Sequence, residues 1–279
     1  MFTSWYGATF VSFYYDMKVK FAKLILVLLL AFTSFNTLKS RNISSPDSVK
    51  AKDTSALKIK LNIGSDIVSR YIWRGCDYGN SPSIQPTLSL SKANFELGCW
   101  SAVATNSFYK EIDLYAKYTY KKVSLLFTDY YIPSFNGTPS SPDNRYFIYD
   151  DKTTAHSFEG SLLYKGNDKF PLWLLGGVYF YGNDKRWGCC AKKDTAEKTY
   201  YSSYFEAGYT FTIRENSADL FLGFTPAAGA YGNTLGVVNV GVTGYRKIKI
   251  SKEFELPLKA SLIFNPQSSN VFFALGITL

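Results

Sequence analysis

Hydrophobic and polar positions alternate with period two along most of this chain. Odd positions 57 to 63 read Leu, Ile, Leu, Ile, and even positions 58 to 64 read Lys, Lys, Asn, Gly. The alternation continues with Ile67, Tyr71 and Trp73 against Asp66, Arg70 and Arg74. Such a pattern predicts a strand whose two faces meet different surroundings, since a helix needs apolar residues three and four apart. The same signature recurs over residues 84–90, 95–103, 112–120, 123–132, 156–164, 172–181, 201–211, 220–225, 235–245, 256–264 and 271–279. That makes about twelve strands, an even number as in bacterial outer-membrane barrels, with both chain ends on the periplasmic side.

The connections carry a second rhythm, alternating long and short. Residues 76–82, 105–110, 133–155, 182–199 and 226–234 form the longer ones; 91–94, 121–122, 165–169 and 213–217 form the shorter ones. Only the last two depart, with 246–253 longish and 265–270 short. Short periplasmic turns and longer outer loops are the habit of transmembrane barrels. The expected fold is therefore all-β: a transmembrane antiparallel up-and-down β-barrel over residues 57–279. Alternation alone does not say which face is wet, and a soluble sandwich or lipocalin-like barrel shares it.

Both ends of the chain favour the membrane form. Residues 17–23 are basic, Leu24–Phe32 is an apolar run, and residues 33–40 are polar and small, which is the order of a secretory signal peptide. The run is too short to span a bilayer as a helix, which takes about 20 residues. Met17 is the expected start, residues 1–16 an extension, 17–40 the signal peptide and 41–56 a flexible linker. At the other end Val271, Phe273, Leu275, Ile277 and Leu279 share one apolar face. Phe273, Leu275, Ile277 and Leu279 read as a terminal strand recognised by barrel-assembly machinery, with outer-membrane lipid as the other partner.

Composition agrees. Aromatics are 18% of the chain, with Tyr and Phe at 22 each, which suits pleated strands. Tyr71, Trp73, Tyr109, Tyr130, Tyr131, Tyr179, Tyr181, Tyr200 and Tyr201 lie near strand ends and read as interfacial girdles. The net charge of +9 sits partly in the leader, and no basic stripe interleaves with base-stacking positions, so no nucleic-acid partner is expected. The four cysteines lack a C-x-x-C pair and His156 is the only histidine, so neither a metal site nor a cofactor is expected. Cys99 reads as a small wall hydrophobe, while Cys189 or Cys190 could pair with Cys76 in an oxidising envelope.

If the apolar face meets lipid, parity turns Lys58, Lys60, Arg70, Arg74, Lys117 and Lys259 inward. It turns Asp66, Glu96, Glu111, Asp113, Glu159, Glu206, Asp219 and Glu255 inward with them. Trp100, Tyr115, Trp173 and Tyr179 join the set. Mixed signs predict little charge selectivity. Arg70, Arg74, Asp113, Lys117, Glu159 and Glu206 are the candidates for a constriction, or alternatively for an internal ion-pair network that holds register.

Residues 65–75 (SDIVSRYIWRG), 82–86 (PSIQP), Gly98-Cys99-Trp100, residues 111–115 (EIDLY) and 204–206 (YFE) resemble the TorF-like porin family. That family is also known as a conserved bacterial family with a G-C-W motif. The resemblance implies an outer-membrane barrel and a pore, with no known substrate. The expected function is passive diffusion of small polar solutes through a narrow lumen in the cell outer membrane. A non-conducting structural or surface-binding barrel is the alternative, with the basic loop 182–199 as its binding surface. A lipid-processing enzyme is disfavoured, because His156 and Ser157 fall on opposite strand faces. The long loop 133–155 is expected over or in the mouth, and oligomeric state is left open.

Overall fold

The computed structural model describes residues 58–133, 144–151, 153–184 and 199–279. Expectations for the leader, the linker, and Cys189 and Cys190 lie outside these. The described residues hold fourteen strands and no helix. These are β1 (Lys60–Val68), β2 (Tyr71–Trp73), β3 (Cys76–Tyr78), β4 (Ser83–Lys92), β5 (Phe95–Ala104), β6 (Lys110–Tyr120) and β7 (Val123–Tyr131). They continue with β8 (His156–Asn167), β9 (Phe170–Gly182), β10 (Ser203–Ile213), β11 (Asn216–Thr225), β12 (Gly236–Lys249), β13 (Glu255–Asn265) and β14 (Asn270–Thr278). Twelve of them close into one antiparallel barrel in which each strand pairs with its chain neighbours and β1 pairs with β14.

The two-faced strands are inside-out relative to a soluble barrel. Outward positions expose large apolar side chains, such as Ile63 and Leu61 on β1, Leu88 on β4, Leu162 on β8 and Phe273 on β14. Inward positions bury polar ones, including Gln85, Asp113, Glu159, Ser161 and Asn239. Tight turns gather at one end of the barrel, where Ala93, Lys121 and Arg214 take positive φ. β12 runs to Lys249, so the connection expected to break the rhythm shrinks to residues 250–254.

The first strand departs from expectation. The alternation runs on to Arg74, yet β1 leaves the wall after Ser69. Residues 71–78 turn inward as the small hairpin β2–β3, with Trp73 opposite Cys76. The expected long outer loop from Cys76 is thus partly a strand inside the barrel. This also corrects the aromatic girdle. Tyr71, Trp73, Tyr109, Tyr130 and Tyr179 pack inside, around the hairpin. Tyr181 and Tyr201 do face outward. A hairpin standing in the lumen needs apolar surface to bury, and the nearest strand ends supply it.

Two bulges serve the same place. Opposite Phe158 and Glu159, β9 carries an extra residue, so Phe180 and Tyr181 both lie outward while Tyr179 faces Glu159 across the ladder. Opposite Gly223 and Phe224, β12 carries the extra residue Val238, which turns inward beside Asn239 and is fully buried. Bulges re-aim side chains in this way.

Candidate functional site in the lumen

The hairpin tip is a two-residue turn, Arg74-Gly75, with φ of 51° and 77°. Positive φ at both residues is the geometry that matches the twist of a two-residue hairpin. At Gly75 it is also a spatial requirement, since a Cβ there would lie 1.9 Å from the Val238 carbonyl oxygen. Asn265, buried on β13, donates its Nδ2 to the Gly75 carbonyl at 3.0 Å.

Arg74 carries the hairpin's charge into the barrel and is buried there. Its Nη2 meets Oε1 of Glu159 at 2.8 Å and its Nη1 meets Oε2 at 2.5 Å, a two-pronged pair. Nη1 also donates to the Tyr231 hydroxyl, which in turn donates to Glu159 at 3.1 Å. Ser161 adds a further donor to Glu159. The guanidinium lies over the rings of Trp73 (4.3 Å), Tyr204 (4.7 Å) and Tyr231 (5.1 Å). A charge removed from water is tolerated only with a partner of this quality. Glu206 is held by the Tyr204 hydroxyl and, at 2.6 Å, by Asn239 Nδ2. The buried cluster Tyr130, Tyr179, Tyr204, Tyr231 and Val238 closes around the tip, with Trp73 against it.

All six constriction candidates point into the lumen, but two of them do not stand on the wall. Arg74 is on the hairpin tip, and Arg70 lies at its base, ion-paired to Asp77. Lys117 pairs with Glu96 at 2.6 Å, and Glu96 also accepts from Tyr115 at 2.7 Å. Asp113 is buried two residues from Glu111, which accepts from Tyr109 at 2.9 Å. Lys259 pairs with Asp66 at 2.5 Å, and Asp219 accepts from Thr210 at 2.7 Å. The four lumen cations Arg70, Arg74, Lys117 and Lys259 are thus each paired with an acid, whereas Glu111, Glu206 and Asp219 are held by hydroxyl or amide donors.

The hairpin divides the lumen. On the short-turn side a cavity of about 390 Å³ is bordered by Gln85, Trp173, Asp219, Thr243 and Lys259. On the long-loop side one of about 670 Å³ is bordered by Asp77, Tyr109, Asp184, Ser268 and Phe272. Burial raises the Asp184 carboxyl above its ordinary value, against the lowering effect of bonds from Ser202. Among the described residues no group of three or more His, Cys, Asp or Glu is placed to hold a metal ion.

His156 lies on the outward face, as parity requires, but it is fully buried. Its Nδ1 is 2.7 Å from Oδ1 of Asp129 and its Nε2 is 2.5 Å from the Tyr146 carbonyl oxygen. Tyr131, Tyr146 and Tyr149 surround the ring. The described part of the long loop thus covers the outer face of β7 and β8 rather than the mouth. Replacing His156 by leucine should cost about 1–3 kcal/mol of this docking, because Asp129 loses its buried partner. Limited proteolysis should then cut within residues 133–155 sooner, with the lumen unchanged.

Reading the sequence missed the hairpin, Tyr204, Tyr231, Asn239 and Asn265. The available signal was Arg74-Gly75 followed by Gly79-Asn80, two turn-forming pairs close together.

Residues 50–157 match the family described as "Bacterial protein of unknown function (Gcw_chp)". The matched stretch is less than half the chain, and it contains the hairpin and Gly98-Cys99-Trp100 but ends before Glu159. No curated protein matches the chain. Among solved structures, that of BamA from Haemophilus ducreyi lacking POTRA domains 1–3 is similar at 13% identity and a TM-score of 0.37. The alignment covers 74% of this chain and 41% of that one, so this chain spans less than half its length.

Proposed function

We propose that this protein is an outer-membrane channel for small polar solutes whose resting lumen is closed by its own hairpin. The carrying observation is the pair of cavities, about 670 and 390 Å³, on either side of the Arg74–Glu159 layer. The apolar outward belt and polar interior support membrane residence, because only a closed barrel satisfies every strand in lipid. The leader-like N-terminus and the resemblance to TorF-like porins point the same way. In this reading the belt meets outer-membrane lipid, and assembly machinery reads the terminal segment through Phe273, Leu275, Ile277 and Leu279.

An enzyme role draws no support from His156, whose two ring nitrogens are both engaged. A non-conducting, surface-binding barrel draws its support from the same plug, and one experiment separates the two. Liposomes holding the full-length protein should swell slowly in a small sugar, and faster with Arg74→Ala. No swelling with either protein, both shown to be folded, would leave the surface-binding reading.

A further inference from the structure

We infer that residues 69–74 have two alternative places, the lumen hairpin seen here and an upward extension of β1 along β14, and that exchange between them opens the channel. This rests on the channel reading above and supplies its moving part.

The β1–β14 junction is the shortest in the barrel. Three residue pairs are in register, Asp66 with Thr278, Ile67 with Ile277 and Val68 with Gly276, whereas β1 and β4 share nine. The neighbours of β14 are β1 and β13. β13 accompanies β14 from Asn270 to Ile277, all but its last residue. Above Leu275, residues 270–274 therefore have no hydrogen-bonded strand on their β1 side among the described residues. An unpaired edge facing lipid is expensive, each orphaned backbone group costing several kcal/mol.

Ser69 marks the point of departure. Its N–H donates to the Leu275 carbonyl at 2.7 Å, as in an unbroken ladder. The Leu275 N–H, however, donates to the Ser69 hydroxyl at 2.9 Å, where a continuing strand would offer its carbonyl. The side chain thus caps the ladder where the backbone peels away.

The departing residues still carry the wall's alternation. Continuing the observed register sets Tyr71 opposite Phe273 and Trp73 opposite Val271, all on the outward face. Phe273 and Val271 are among the most exposed apolar side chains there. Arg70, Ile72 and Arg74 would turn inward. The two aromatic rings that plug the lumen would become part of an interfacial girdle, a place that suits them. Gly79 and Asn80, with φ of 93° and 48°, sit at the return end of the hairpin, where the chain has to turn differently in the two forms.

The test uses the full chain with Cys76, Cys99, Cys189 and Cys190 replaced by serine. The pair Trp73→Cys and Val271→Cys reports the wall form, because Trp73 now packs on Tyr130 and Tyr231, inside the barrel. The pair Ile67→Cys and Ile277→Cys is partnered in both forms and reports correct assembly. A minor state is typically populated at about 0.1–10%. Oxidation should therefore trap the 73–271 disulfide slowly, and adding Glu159→Gln should raise its rate about tenfold or more. If the 67–277 disulfide forms and the 73–271 disulfide never does, with or without Glu159→Gln, the exchange is overturned. If the 73–271 disulfide forms and the trapped barrel passes no ions, the exchange stands and the channel reading fails.

Discussion

Replacing Glu159 by alanine is expected to lower the barrel's stability by about 3–5 kcal/mol, the cost of leaving one member of a buried ion pair without the other. The Arg74 guanidinium would keep its three aromatic rings and the Tyr231 hydroxyl, but lose its ion-pair partner. Its way out is for the hairpin to leave the lumen for the extended form of β1. The same variant should therefore raise ion flux as it lowers the unfolding temperature. Planar-bilayer current measures the first quantity and heat-dependent migration on a gel the second. A loss of stability with no change in current would assign Glu159 to the register network alone.

Gly75→Val is expected to act as strongly by a different physical route. The positive φ of 77° disfavours any β-branched residue, and the added Cβ would be driven into the Val238 carbonyl. No charge changes, so an increase in current from this variant cannot be attributed to altered electrostatics in the lumen. Unlike Glu159→Ala, it leaves the Arg74–Glu159 partners chemically able to pair. If the hairpin still seats, infrared or cysteine-accessibility measurements at Cys76 should match the parent, and the close contact with Val238 would be less decisive than its distance implies.

Both variants act on the element that the sequence hid best. The wall strands were legible because each has two unlike solvents, and Leu61, Ile63 and Phe273 read outward from parity alone. Glu159 and Glu206 were placed in the lumen by the same rule. Residues 70–74 obey that rule too, yet leave the wall, because a lumen lined with both charges and tyrosines accepts either face of a strand. The aromatic residues failed as a girdle for a related reason. A ring near a strand end is equally suited to an interface and to a plug, and period two does not distinguish them when the lumen is filled. Val238 and Phe180 were illegible because a bulge shifts parity without leaving a mark in composition. The partners of Arg74 come from β8, β10 and the 226–235 connection, far apart in the chain. Only the closed barrel brings them together.

The most direct test of the central claim is single-channel recording from the full-length barrel beside a variant in which residues 71–78 are replaced by a short glycine-containing turn, both shown by heat-dependent gel migration to be folded. A lumen closed by the hairpin predicts a largely silent parent with brief openings and a steady, ohmic conductance for the variant. Equal silence in both, or equal conductance in both, would contradict it.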